Sequence, residues 1–283
     1  MSGQRIVIVT DSTAHIPASA LGQFEIPVIP LWLLWGEERF RDNVDIDPAT
    51  FYQRLPSSKV FPSTSQPSAG EFVDFFRKAA SEADAVVGVF ISSKLSGTVA
   101  SARAALADLP DLTIRVVDSL STSMGLGFAV LAAAQAAHEG RSLDEVVAAA
   151  EQVCQRVEVL FAVDTLEYLY RGGRIGGAKR LMGTALNLKP LLEINDGRIE
   201  ALASIRTKRK AVQQLLQVTE ERLAGRPLAA AAVLDVAAPE EGDALAAEVA
   251  QRFGLSTVHR TAVSPVIGSH AGPGTVGLCF YAE

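Results

Sequence analysis

The chain has 283 residues, of which 48% are hydrophobic and 20% charged, a composition typical of globular rather than disordered proteins. Its formal net charge of -6 excludes a positive field over the whole protein, so we expect no nucleic-acid partner. The two cysteines, Cys154 and Cys279, are too few for a disulfide framework and suit a reducing cytosol.

The first predicted element is a buried strand at residues 5 to 9, RIVIV, which ends in the polar turn TDST. This apolar run is too short for the core of a signal peptide. No other apolar stretch reaches the ~18 residues that a membrane span needs. We therefore expect a soluble, cytoplasmic protein.

The next elements predict an α/β domain built on a parallel sheet. Residues 28 to 42, VIPLWLLWGEERFRD, indicate an edge hairpin that turns about GEE. Strand-and-turn patterns at 83 to 93 and 113 to 123 then alternate with helical periods at 68 to 83 and 97 to 109, and further helices follow up to residue 157. This alternation is typical of a doubly wound parallel sheet.

The pattern changes after about residue 160. Residues 189 to 206 predict a hairpin with its turn at Asn195, Asp196 and Gly197, so antiparallel pairing enters here. A helix from Lys208 to about Leu223, a strand, another helix and two final strands complete an α+β half with a mixed sheet. The sequence thus predicts two domains, at residues 1–160 and 161–283.

Two hydroxyl-rich loops precede predicted helices. In SSKLSGTVASA, Ser96 lies near a helix start, where free backbone N–H groups bind anions, although Ser96 could serve only to cap its own helix. In FPSTSQPSAGEF, Ser68 and Glu71 form a capping box. That box leaves Thr64 and Ser65 as candidate hydrogen-bond donors to a ligand.

The segment GSHAGPGTVG, residues 268 to 277, contains the letters GxGxxG, but a strand follows instead of the helix that a dinucleotide site needs. We interpret it as a glycine-rich turn that brings Ser269 and His270 to the surface of a cleft. A purely structural histidine is an equal alternative.

Two basic segments lack the residue order of a nucleotide-binding motif. Residues 164 to 183 hold glycine pairs among four cations, Arg171, Arg174, Lys179 and Arg180, and lack the P-loop pattern. Their arginines could pair with a carboxylate or phosphate, or lie solvated at the surface. For the run RTKRK at 206 to 210, a solvated face is the favoured interpretation over a partner-binding one.

Catalytic signals are few. The chain has no GxSxG elbow, no HExxH motif and no clustered histidines, so no metal site is predicted. Asp11, Asp118 and Asp164 each end a predicted strand, where a carboxylate cluster is conceivable, but such residues more often cap the next turn. No nucleophile is paired with a base.

Seven segments together, IVTDST, TSQPS, SSKLSGT, VVDS, YLYRGGRI, KPLL and GSHAGPGTVG, have the order and spacing of the DegV family, which the whole chain resembles. The resemblance implies a two-domain bacterial protein that carries one long-chain fatty acid of the palmitate or oleate class. It implies no catalytic residue, no metal and no cofactor. In some members a fatty acid kinase phosphorylates the bound carboxylate, and transient membrane contact is also expected.

The resemblance also assigns positions around the carboxylate. It places the head-group contacts on Thr64 and Ser96, with Arg174 and His270 nearby for orientation or phosphoryl transfer. Further positions facing the head group or a partner would be Ser65, Gly97, Thr98 and Ser269. The motif that often reads AHTGPG has Ser269 before His270 here and Ala271 after it, which removes a hydroxyl beside the head group. The resemblance further implies that the head-group loops lie in the first domain and that the two domains share the acyl tunnel.

Two other functions remain open from the residues alone. The chain could be a hydrolase or phosphotransferase that uses Asp11, Asp118 and His270 on a small phosphorylated or ester substrate. It could also be a binding module for a polar metabolite, which an apolar tunnel would argue against. Burial of a long acyl chain favours the carrier, because about sixteen carbons at ~0.8 kcal/mol for each CH2 contribute ~12 kcal/mol, more than a few hydrogen bonds at ~1 kcal/mol each.

Overall fold

A computed structural model of the chain describes residues 4–182 and 188–283. The strands within these residues are β1 (Ile6–Asp11), β2 (Val28–Ile29), β3 (Trp32–Trp35), β4 (Glu38–Arg41), β5 (Ser63–Ser65), β6 (Ala85–Phe90), β7 (Ile114–Asp118), β8 (Glu158–Ala162), β9 (Lys189–Asn195), β10 (Arg198–Ile205), β11 (Leu228–Asp235), β12 (His259–Ala262) and β13 (Val276–Ala282). The α-helices are α1 (Ala18–Leu21), α2 (Pro48–Arg54), α3 (Ala69–Ala80), α4 (Thr98–Ala105), α5 (Ser123–His138), α6 (Leu143–Arg156), α7 (Glu167–Arg171), α8 (Lys208–Leu223), α9 (Pro239–Phe253) and α10 (Pro265–Ala271). Gly183, the last residue of the first basic segment, lies outside the described residues.

The first half is an α/β unit, as predicted from the alternating pattern. Its sheet has the order β2-β1-β6-β7, and every pair in it is parallel. Every residue of β6 is buried, because one core cluster with α3 and α4 covers one face while α5 and α6 cover the other. The carboxyl ends of these strands carry the hydroxyl-rich loops, as parallel sheets of this kind require.

The hairpin predicted within residues 28 to 42 is present, but its placement at the edge of the parallel sheet was wrong. Its strands β3 and β4 pair about the turn at Gly36, and β5 joins them to form a separate three-stranded antiparallel sheet. Only the first two residues of this stretch, which form β2, lie at the edge of the parallel sheet. A small core with Trp35 and Phe51 gives this separate sheet its own apolar support.

The second sheet has six strands in the order β10-β9-β8-β13-β11-β12. The pair β11 and β12 is parallel and the other pairs are antiparallel, so the sheet is mixed, as predicted. The hairpin turn predicted at Asn195 to Gly197 joins β9 to β10. One face packs on α8 and α9, and the other face turns toward α5.

The division of the chain at residue 160 remains a prediction. That residue lies within β8, which pairs with β9 and β13 of the mixed sheet. Across the two described ranges, no helix is both long enough and apolar enough to cross a bilayer.

Candidate functional site

A cavity lies between the loops of the first sheet and the mixed sheet. About 910 Å³ of space not filled by atoms lies within it, a volume that includes its opening to solvent. Residues from both sides of position 160 line it. Polar side chains among them are Thr64, Ser65, Gln66, Ser96, Thr122, Ser123, Arg174, Asp235, His270 and Thr275. The cavity wall therefore carries an assorted set of polar groups.

Thr64 and His270 form a direct contact in this wall. Thr64 lies on β5, and its Oγ1 is 2.8 Å from Nε2 of His270, in the last turn of α10. Burial lowers the pKa of His270 to about 4, and the Arg174 guanidinium lowers it further, so the imidazole is neutral at pH 7. When Nε2 carries the imidazole hydrogen and donates it to Thr64, the Thr64 hydroxyl keeps its own hydrogen for an acceptor on a ligand.

Helix α10 is fixed at its start by two buried side chains. Asp42 accepts a hydrogen bond from the backbone N–H of Val266, and His15 Nε2 accepts one from Ser264. Burial raises the pKa of Asp42 to about 6 and lowers that of His15 to about 3. Both groups thus act as acceptors at pH 7, and the helix that carries His270 is held at its N-terminal end.

The predicted glycine-rich turn at Ser269 and His270 was wrong. Both residues lie in α10, and the left-handed glycines Gly272 and Gly274 come only after it. Ser269 is buried, and its hydroxyl donates to the carbonyl of Val266 in the same helix. Gly268 to Ala271 continue the helix that begins at Pro265. The helix ends at Gly272, the first of the two left-handed glycines.

Arg174 lines the cavity beside His270. Its Nε donates to the carbonyl of Leu95 and its Nη1 to that of Gly172. A Cβ at Gly172 would overlap Nδ1 of His270. Because Gly172 has no side chain, the imidazole of His270 can lie directly against its backbone. The guanidinium is anchored to two backbone oxygens and is partly exposed. It can offer its remaining N–H groups to an anion.

The start of α4 adds hydroxyl donors. Ser96 Oγ lies 2.8 Å from Thr98 Oγ1, and Gly97 is the N-cap without a side-chain hydrogen bond. These two hydroxyls carry one hydrogen each, and one of the two hydrogens is used in the bond between them. Ser96 is partly buried and lines the cavity, whereas Thr98 is fully buried. The helix start therefore presents a hydroxyl and free backbone N–H groups, the usual setting for a bound anion.

Gln66 joins the two hydroxyl loops, and sequence reasoning missed it. A Cβ on Gly97 would lie 2.9 Å from Cδ of Gln66, so the Gln66 side chain covers the start of α4. Ser65 also lines the cavity, and its hydroxyl donates to the carbonyl of Gln66. The position of Gln66 directly after the predicted donors Thr64 and Ser65 was the available signal.

The apolar wall was also missed. It comprises Leu31, Ile91, Leu95, Val159, Phe161, Leu169, Ile194, Ile199, Leu234, Val236, Val263, Val266, Ile267 and Ala271. Val159 and Phe161 alternate along β8, as residues on one face of a strand do. However, Leu160 and Ala162 on the opposite face are equally buried under α8. A strand buried on both faces gives a continuous apolar pattern, which hides the face that lines a cavity.

The start of α5 contributes two further hydroxyls, Thr122 and Ser123, that were not predicted. Thr122 is 8% exposed, and its Oγ1 has no hydrogen-bond partner among the described residues. Ser123 Oγ lies 2.7 Å from Nδ1 of His15. Because Nε2 of His15 accepts from Ser264, its Nδ1 carries the hydrogen and donates it to Ser123.

The three strand-end carboxylates have partners of their own. Asp11 accepts from the backbone N–H groups of Thr13 and Ile91, and burial raises its pKa. Asp118 accepts from the N–H groups of Ser93 and Leu120. These bonds match the turn-capping alternative.

Asp164 pairs with Lys189 and Lys208, at 3.4 and 3.1 Å. Asp11 lines a second cavity together with His15 and Asp42, whereas His270 lines the first. In the part of the chain that the structure describes, no group of three or more His, Cys, Asp or Glu could hold a metal ion.

Comparison with known proteins gives one consistent relationship. The model of a family described as "Uncharacterised protein, DegV family" matches residues 5–283. A DegV domain-containing protein of Streptomyces coelicolor is 40% identical over 277 residues, which cover 97% of this chain and 98% of that protein.

Solved structures show the same fold. A DegV family protein from Thermus thermophilus, described by its fatty acid binding, matches with a TM-score of 0.92 and 39% identity, covering 99% of this chain and 100% of its own. A stearic acid-binding protein from Eubacterium ventriosum matches with a TM-score of 0.88 and 26% identity, covering 97% of each chain.

Proposed function

The chain belongs to the DegV family, and on that premise we propose that it binds one long-chain fatty acid in the cavity described above. The observation that carries this proposal is the pairing of an apolar wall with a set of donors at Thr64, Ser96, Arg174 and His270. The fatty acid binding of the Thermus and Eubacterium proteins supports it.

The apolar wall accounts for most of the expected affinity. Burying a chain of about sixteen carbons at ~0.8 kcal/mol for each CH2 contributes ~12 kcal/mol before the costs of binding. One neutral hydrogen bond contributes only ~1 kcal/mol net. The donors therefore orient the ligand, and the acyl chain holds it.

The donor set suits a carboxylate. With His270 donating to Thr64 and Thr98 donating to Ser96, the Thr64 and Ser96 hydroxyls each keep one hydrogen to donate. Arg174 adds positive charge next to them, and neutral His270 adds no second charge. A carboxylate can thus accept several hydrogen bonds without burying an unpaired charge.

We further propose that the protein catalyses no reaction itself and presents the carboxylate to a fatty acid kinase, with transient contact to a membrane. Ser96 and Arg174 are only partly buried and Gln66 is exposed, which supports access by a partner to the head group. In this proposal the two predicted domains share the acyl tunnel, and the loops of residues 1–160 hold the head group.

Lipid extraction tests the binding proposal. Protein purified from a bacterial host should yield fatty acid on organic extraction and mass spectrometry, and delipidated protein should take up palmitate or oleate. A protein that neither carries lipid nor takes up either acid would refute fatty acid binding.

Acyl-phosphate formation tests the kinase proposal separately. With a bacterial fatty acid kinase and ATP, wild-type protein loaded with palmitate should support acyl-phosphate formation, and a Thr64→Ala, Ser96→Ala double variant should support less even when loaded. The matched control is Ser81→Ala, which removes an exposed hydroxyl at the end of α3. Equal rates in wild type and double variant would contradict the assigned contacts.

A further inference from the structure

The start of α5 carries a buried hydroxyl at the cavity wall that has no hydrogen-bond partner among the described residues. Most polar side chains of the wall have a partner: Thr64 has His270, Ser96 has Thr98, Asp235 has Arg260, and Thr275 has the carbonyl of Ala271. Two buried polar atoms on wall residues have none among the described residues, Nδ1 of His270 and Oγ1 of Thr122. The first belongs to the carboxylate group already proposed, and the second does not.

Thr122 is the N-cap residue of the sixteen-residue helix α5, yet its side chain makes no capping bond. A buried hydroxyl left unpaired is costly, and threonine at this position usually satisfies itself by accepting from its own helix. Ser123, next along the chain, accepts from His15, so its own hydrogen is still available to a ligand. Two adjacent hydroxyls on the cavity wall thus retain hydrogen-bonding capacity.

These hydroxyls lie between the Ser96 loop and the start of α10. The backbone N–H of Ser96 donates to the carbonyl of Ser92, and that of Ser92 donates to the carbonyl of Ser121, next to Thr122. His15 joins Ser123 to Ser264 at the start of α10, whereas His270 lies in the last turn of the same helix. Six residues of helix at 1.5 Å each separate Ser264 from His270 by ~9 Å along the axis. Val266 and Ile267 lie between them and line the cavity. This apolar stretch of the wall therefore separates the start of α5 from the contact between Thr64 and His270.

We infer that Thr122 and Ser123 form a second polar subsite that takes an oxygen substituent on the acyl chain, so that a hydroxy or oxo fatty acid is the preferred ligand class. This inference rests on the proposed fatty acid binding. The Ser123 hydroxyl donates to the substituent oxygen, and Thr122 donates to it or accepts from its hydroxyl. An unsubstituted chain leaves Thr122 unpaired against CH2 groups.

Equilibrium binding to delipidated full-length protein tests the subsite with ligands of one chain length: stearic acid, its 3-, 10- and 12-hydroxy derivatives, and 10-oxostearic acid. At least one acid substituted in mid-chain should bind about two- to tenfold more tightly than stearic acid, the range of one net hydrogen bond. Comparison of 10-hydroxystearic acid with 10-oxostearic acid shows whether the substituent must donate a hydrogen bond, because only the hydroxyl can do so.

Thr122→Val keeps the side-chain volume and removes only the hydroxyl. It should abolish the preference and bind stearic acid at least as tightly as wild type does. Thr219→Val is the matched control, because Thr219 is buried in α8 with its hydroxyl bonded to the carbonyl of Leu215. The control should retain the wild-type preference.

The measurements distinguish failure of the subsite from failure of the proposed fatty acid binding. If stearic acid binds as tightly as every substituted acid, or if Thr122→Val retains the preference, the subsite is overturned while fatty acid binding stands. If neither stearic acid nor any derivative binds, the proposed function fails and the subsite fails with it.

Discussion

Thr64 and His270 are 206 residues apart in the chain, and their side chains meet at 2.8 Å between Oγ1 and Nε2. Thr64 comes from the third strand of the small antiparallel sheet, and His270 comes from a short helix just before the last strand. The contact therefore joins two remote segments at the wall of one cavity. When His270 donates to Thr64, the Thr64 hydroxyl keeps its own hydrogen, which suits a carboxylate ligand.

Thr64→Val should weaken palmitate binding by about two- to tenfold, because valine keeps the volume and removes one hydroxyl from the head-group set. Methyl palmitate, which has no carboxylate charge, should lose less affinity. Titration of delipidated protein with both ligands checks this. If palmitate and methyl palmitate lose the same affinity, Thr64 does not bind the carboxylate.

His270→Gln should make the protein less sensitive to mild acid. Burial lowers the pKa of His270 from 6.5 to about 4, so between those values the unfolded chain binds more protons than the native one. The free energy of unfolding therefore falls as the pH drops through this window. From pH 7 to pH 5, wild type should lose about 2 kcal/mol more than the variant.

Urea unfolding of the delipidated proteins at the two pH values measures that difference. His15 and Asp42, whose pKa values burial shifts to about 3 and about 6, titrate in both proteins and cancel in the comparison. Parallel losses in wild type and variant would contradict a buried, neutral His270.

Gly172→Ala should disturb both stability and head-group binding. The added Cβ would overlap Nδ1 of His270, and overpacking of this kind costs typically ~1 to 3 kcal/mol. Gly70→Ala is the control, because a Cβ there meets nothing within 4 Å and should stabilise helix α3 slightly. Thermal unfolding and palmitate titration check both variants, and unchanged palmitate affinity in Gly172→Ala would contradict the predicted displacement of His270.

Ser92→Ala should destabilise the protein by ~1 to 3 kcal/mol. The buried Ser92 hydroxyl donates to the carbonyl of Gly197 in the β9–β10 turn and accepts from the N–H of Lys94. The neighbouring exposed residue supplies the control, Ser93→Ala, with an expected change below ~0.5 kcal/mol. Urea unfolding distinguishes them, and similar stabilities would show that the turn is held by other contacts.

Much of the local structure was predictable because it depends on neighbours in the chain. Ser68 and Glu71 form the expected capping box, and Asn195 to Gly197 form the expected hairpin turn. The alternation of strands and helices predicted the parallel sheet. Hydroxyls before helices also identified Thr64 and Ser96 as candidates, since a helix start needs acceptors and offers donors within a few residues.

What the sequence by itself determined is thus the fold class, the element order and a short set of polar candidates. Only the tertiary structure decided which of them meet, because Thr64 reaches His270 through strand pairing and helix packing between remote segments. It also decided which face of β8 lines the cavity, since both faces are apolar and buried. The unpaired hydroxyl of Thr122 is likewise a property of its surroundings and not of its local sequence.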